Sequence, residues 1–209
     1  MVLSLSTGFP SLGCRGLWLG ALLLLAGCQV PAPVVVSATF AATPAFATRS
    51  PADIAVLPVE DGTKDAAAQR HLVFMRQEVS RELVDRLFSP LTTAVVDAGL
   101  RGVEMPGGES TLAPATLQRL AGHSSEDAIF AMRVDRWDES QLLVEHKVWF
   151  QFQAALVGSD GVQLWSGSMQ GEAKAGGLGA SPRDRDGMAR SCAGLAIHEM
   201  MLRLPRRTM

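Results

Sequence analysis

The chain has 209 residues, with 19 lysines and arginines against 21 aspartates and glutamates, for a net charge of −2. That length suits one domain with appended segments. The near-balance of charge offers no basic stripe for nucleic acid and no strong electrostatic pull toward anionic lipid.

Residues 1–27 carry a single charge, Arg15, followed by an apolar run from Leu17 to Ala26. This is the layout of a secretory signal. The run is shorter than the roughly 20 residues that a membrane span needs, and Gly16 and Gly20 interrupt its start, which weighs against an uncleaved transmembrane helix. It ends in Leu25-Ala26-Gly27-Cys28, which resembles the lipobox of bacterial lipoproteins. The resemblance implies cleavage before Cys28, a diacylglyceryl group on its thiol and a further acyl chain on the new amine. Two or three such chains hold a protein on a bilayer for a long time. With Cys14 leaving in the signal and Cys28 lipidated, Cys192 is the remaining thiol and no internal disulfide is expected. A lone thiol of this kind is usually buried and inert.

Residues 28–50 are rich in Pro, Ala, Val, Thr and Ser and read as an extended tether. Val34-Val35-Val36 has strand character, but Pro31, Pro33 and Pro44 weigh against a long strand. The folded domain is expected over 51–209. Ile54 to Val59 predicts a buried strand, closed by a polar turn at Glu60 to Asp65. Ala66 to Phe88 predicts the longest helix, with Leu72, Met75, Val79, Leu83 and Leu87 on one stripe and Arg76, Glu78, Arg81, Glu82 and Arg86 on the polar face. Glu82 and Arg86 have ion-pair spacing, and Pro90 stops the helix.

Thr92 to Asp97 is β-branched and reads as a second strand. Residues 98–114 read as a loop, Thr116 to Ala121 as a short helix and Asp127 to Asp135 as a third strand. Leu142 to Leu156 alternates, with Val144, His146, Val148, Phe150, Phe152, Ala154 and Leu156 on one face and Glu145, Lys147, Trp149, Gln151 and Gln153 on the other. This predicts a half-buried antiparallel strand. Ser159-Asp160-Gly161 signals a hairpin, and Val162 to Ser168 the return strand. Residues 173–187 read as a mobile loop, and Met188 to Leu204 as a closing helix stopped by Pro205. The expected class is α+β: a mixed or antiparallel sheet of about five strands, with two main helices mainly on one face.

The strand Ile54 to Val59, the long helix, Val95-Val96-Asp97, Glu126 to Ile129 and the hairpin Asp160 to Gly167 together resemble small envelope lipoproteins with a domain like the N-terminal domain of TolB. Relatives of that fold include the curli secretion lipoprotein CsgG and the penicillin-binding-protein activator LpoB. The resemblance spans roughly residues 53–204 and implies a periplasm-facing binding or assembly role. Pore-forming hairpins of the CsgG kind are absent from the pattern, so secretion is not carried over. Neither is the synthase-activating surface of LpoB, for which no residue set is found.

The pattern does not point to catalysis. His71, His123, His146 and His198 have no paired ligand spacing, so no metal and no cofactor is expected. Gly167-Ser168-Met169-Gln170-Gly171 places its serine one position early for a nucleophile elbow. Gly176-Gly177-Leu178-Gly179 lacks the lysine of a phosphate loop. Asp135, Asp138 and Glu139 are acidic enough for sugar hydrolysis, but acids at a strand end are commonplace. Trp149, on the polar face, either packs across the hairpin on Trp165 or meets a partner; cross-strand packing is the favoured expectation.

Function is therefore expected to reside in lipidation at Cys28 and in a partner surface of Glu145, Lys147, Trp149, Gln151 and Gln153. Gln29, rather than aspartate, after Cys28 implies by family analogy an outer-membrane, periplasm-facing location. The expected role is binding a protein partner in envelope assembly, transport or cell-wall synthesis. The alternatives are an auxiliary solute-transport lipoprotein that binds lipid or a small ligand, and an envelope hydrolase.

Overall fold

The computed structural model describes residues 33–103, 109–176 and 184–207. In chain order these form β1 (Val34–Ala42), α1 (Pro44–Arg49), β2 (Asp53–Val56), β3 (Glu60–Asp61), α2 (Ala66–Gln69), α3 (Leu72–Asp85), β4 (Ser89–Pro90), α4 (Thr93–Gly99), α5 (Pro114–Leu120), β5 (Ala128–Asp138), α6 (Leu142–Glu145), β6 (Lys147–Gly158), β7 (Gln163–Lys174) and α7 (Arg185–Met201). The signal, Cys28 and most of the Gly-rich segment after Gly176 lie outside the described residues.

One seven-stranded mixed sheet runs β1-β7-β6-β5-β2-β4, with β3 joined to β5. The β1-β7-β6-β5 section is antiparallel, whereas β2 is parallel to both β4 and β5. The α+β class with a mixed sheet is as the pattern predicts. Helices α3 and α7 cover one face, over Phe130, Phe150, Phe152, Leu156 and Trp165. On the other face α4 and α5 place Val96, Leu117 and Leu120 over Ala55, Leu57, Ile129, Ala131, Ala155 and Val157. Burying side chains of this size contributes about 1.5–3 kcal/mol each.

Coverage sets the pattern along β5. Ala128 to Met132 are all buried, because both faces are covered there, and polar positions appear from Arg133 onward, where no helix among the described residues lies on the second face. The stripe of α3 is as predicted at its centre: Met75, Val79 and Leu83 are fully buried. Leu87, at φ 69°, lies beyond the helix end and is exposed.

Several expectations are corrected. Residues 34–49 are not tether. β1 pairs with β7 at eight positions, Phe40 stacks on Trp165 with ring centroids 6.0 Å apart, and Phe46 is buried edge-on to Phe88. The predicted 66–88 helix is two helices, interrupted at Arg70-His71. Thr93–Gly99 is helix, not strand: after Pro90, the chain turns so that Val96 reaches the core and Val95 and Asp97 face outward. Packing here overrides a β propensity worth only tenths of a kcal/mol per residue. Arg76 and Glu82 are buried rather than on a solvated face. Glu82 accepts from His198 Nδ1 at 2.9 Å and Arg81 at 3.1 Å instead of pairing with Arg86. Leu142–Glu145 is a helical turn that ends at His146 in the left-handed region (φ 57°), so the strand starts at Lys147 and Val144 is exposed.

Candidate functional site

β6 alternates as predicted from Lys147 to Ala154. Val148, Phe150, Phe152 and Ala154 are buried beneath α3 and α7, which leaves Lys147, Trp149, Gln151 and Gln153 on the opposite face. The α4–α5 layer stops near Ala155, so among the described residues no helix lies over this part of the sheet. Register places Trp149 between Asp138 of β5 and Glu172 of β7. The next row is Arg136, Gln151, Gln170 and Ser37, and the next Arg133, Gln153, Ser168 and Thr39. Four strands thus present a polar face with one large aromatic.

The Arg136 guanidinium lies 5.4 Å from the Trp149 ring centroid and 3.3 Å from Asp138. Such a cation on an aromatic face is worth about 0.5–1 kcal/mol when exposed. Hydrogen bonds from Ser140 first, then from Arg136, hold the Asp138 carboxyl below the ordinary aspartate range. Lys147 bridges Glu145 at 2.9 Å and Glu172 at 3.4 Å, and the bond to Glu145 raises its ammonium above the usual lysine range. A depression of about 200 Å³ lies among Arg136, Asp138, Ser140, Lys147, Trp149 and Glu172. Of the five predicted surface residues, four sit on β6. Glu145 belongs to α6 and joins them through its ion pair with Lys147.

Trp149 does not pack on Trp165. Trp165 is opposite Leu156, faces the helix layer and stacks between Phe40 and Phe130. The expected cross-strand pair is corrected by this register: the neighbours of Trp149 are Glu172, Asp138 and Arg136. Its indole is half-buried and available from the bare side.

No protein-family model matches this chain, and no curated protein matches it. Among solved structures it is similar to lipoprotein GNA1162 from Neisseria meningitidis, at 21% identity over 66% of this chain and 90% of that one, with a TM-score of 0.45. It is similar to the PelC dodecamer from Paraburkholderia phytofirmans at 12% identity, over 82% and 99% of the two chains, with a TM-score of 0.47. The LpoB C-terminal domain from Salmonella enterica follows at 12% identity, 74% and 91% coverage and a TM-score of 0.38. Likeness at this level transfers no role.

Sequence reasoning missed a buried node just past the end of β5. Glu139 Oε1 accepts from His71 Nε2 at 3.0 Å and Trp137 Nε1 at 2.9 Å, while Oε2 accepts from Arg185 Nε at 2.9 Å. Burial alone would push this carboxyl up, but the three donors outweigh it and hold it near 2. Asp135, Asp138 and Glu139 therefore do not form an open carboxylate pair: Glu139 is enclosed, and Asp135 is held by Arg133 at 2.7 Å. Two further histidines are likewise committed, His198 to Glu82 and His123 to the Arg119 carbonyl. Cys192 is buried, and burial pushes its thiol up to about 11.

Proposed function

We propose that this chain is a lipid-anchored protein of the bacterial envelope whose domain binds a protein partner through the bare Trp149 face of its sheet, without catalysis. The observation that carries the reading is the asymmetry of the sheet. One face is sealed by α3 and α7, while rows of Arg136, Gln151, Gln170 and Trp149 on the other have no helix over them among the described residues. Tryptophan and arginine are the side chains that most often dominate binding energy at interfaces. The lipobox-like Leu25 to Cys28 supports acylation at Cys28, and Gln29 supports the outer membrane. The role falls within envelope assembly, transport or cell-wall synthesis.

Lipid binding between the layers is the weaker alternative, because Phe130, Phe150, Phe152, Trp165, Met75 and Met188 occupy that space. A photo-crosslinking residue at Gln153 tests the partner reading against one at Val84, which is exposed on α3. The expected result is a discrete adduct from position 153 that Trp149→Ala removes, and none from position 84. Equal adducts from both positions, or an adduct indifferent to Trp149→Ala, refute it.

A further inference from the structure

A cavity of about 460 Å³ opens at the carboxyl end of β2, away from the Trp149 face. Its walls include Pro58, Val59, Leu72 and Val73, and its polar groups include Arg76 and Asp97. Arg76 is more than nine-tenths buried. Its Nε donates to the carbonyl of Val56, the last residue of β2, at 2.9 Å. One terminal nitrogen lies 2.8 Å from Asp97 Oδ1, and the other, Nη2, is buried with no partner. The fork is therefore held rigidly and used only in part. Its acid partner is half exposed.

The topology puts this cavity at a place where ligands bind. β2 lies between parallel β4 and β5. The chain leaves β2 through α3 on one face to reach β4, then crosses through α4 and α5 on the other face to reach β5. Successive connections on opposite faces create a crevice outside the carboxyl ends of the strands, the usual ligand position in open parallel sheets. The volume falls within the range of small-molecule sites.

We propose that this cavity binds a small organic carboxylate with an apolar body. Arg76 holds the carboxylate through its terminal nitrogens, and the carboxylate displaces Asp97 into solvent. A planar guanidinium pairs with a carboxylate through two parallel bonds, a geometry that the single Asp97 contact leaves unfilled. Pro58, Val59, Leu72 and Val73 receive the apolar body. This inference does not rest on the partner reading, and the two fail independently.

Calorimetry on the full chain in detergent tests it, with hexanoate and N-acetyl-leucine each set against its neutral amide. At least one acid is expected to bind saturably and about tenfold or more tighter than its amide. Asp97→Ala, at an exposed position that leaves the core intact, is expected to tighten acid binding by about two- to fivefold, because it removes a competing surface pair. Arg76→Lys is expected to abolish the preference for acid over amide. Equal binding of acid and amide overturns the assignment. So does weaker acid binding by Asp97→Ala, and so does an absence of binding by both the native chain and Asp97→Ala.

Discussion

Replacing Glu139 by Gln isolates the charge of the buried node. The shape is kept and the carboxylate is lost. In the native chain three donors converge on Glu139 from β5, from the junction of α2 and α3, and from the first turn of α7. The Gln oxygen still accepts from His71 and Trp137. Its NH2 then faces Arg185, which is half exposed and turns to water. The lowering of the carboxyl from 4.5 to about 2 corresponds to about 3 kcal/mol at neutral pH. That is the lower end of what breaking a buried pair costs. For a domain of this size it lowers the melting temperature by about 10 °C. The sign with pH follows from the depressed value. The stabilisation is complete above 4.5 and is lost as pH falls toward 2, where the native carboxyl is protonated and resembles the amide. Melts followed by circular dichroism are therefore expected to show a gap between native and Glu139→Gln chains that is full at pH 7 and closes between about pH 4.5 and 2. A gap under about 2 °C at pH 7, or one that is constant with pH, refutes the account of the node.

Other perturbations test other parts. Trp149→Ala is expected to abolish partner crosslinking while costing less than about 1.5 kcal/mol of stability, since the indole is half-buried; a larger loss by thermal melt makes it core. Leu83→Asp buries an unpaired carboxylate and is expected to yield no folded protein, whereas Glu78→Ala removes an exposed pair with Arg81 and shifts the melt by less than about 1 kcal/mol. A chain beginning at residue 51 lacks β1, Phe40 and Phe46 and is expected to aggregate or melt far below one beginning at residue 33; equal melts would mean β1 adds nothing to the fold. Cys28→Ala is expected to lose fatty-acid labelling and membrane retention with its fold intact, and equal labelling of the variant sinks the lipid anchor.

What was legible in the sequence is what depends on neighbours in sequence. The Met75, Val79, Leu83 stripe, the alternation from Val148 to Leu156 and the Asp160-Gly161 turn each announce themselves within a dozen residues, and each stands where expected. What was hidden depends on distant partners. β1 has the composition of a linker and is a strand only because β7 offers it an edge; Gly171 admits that approach, since a Cβ there would collide with the Val34 carbonyl oxygen. Arg76 and Glu82 look like solvated helix positions until Val56, Asp97 and His198 arrive from elsewhere in the chain. Glu139 reads as one acid in a turn, yet its partners His71 and Arg185 lie 68 and 46 residues away. The Trp149 surface was legible for the same local reason as the strand. The bareness of that face was not, because it depends on where α4 and α5 stop.

The inclusion of β1 in the sheet changes where the proposed lipoprotein acts. A tether running from Cys28 to residue 50 would let the domain stand off some 60–70 Å at about 3 Å per residue. With β1 starting at Val34, five residues separate it from Cys28, and covalent geometry limits that span to about 20 Å. An anchored domain is then held at the bilayer surface, and a partner that meets the Trp149 face must reach the same layer. Inserting a Gly/Ser segment of about 20 residues between Val30 and Pro31 gives the domain added freedom without touching the sheet. Crosslinking from Gln153 is expected to fall with the insertion, because the effective concentration of a membrane-bound partner drops as the linker lengthens. Undiminished crosslinking, with fatty-acid labelling intact, would show that the partner is met away from the membrane and that the short span carries no functional constraint.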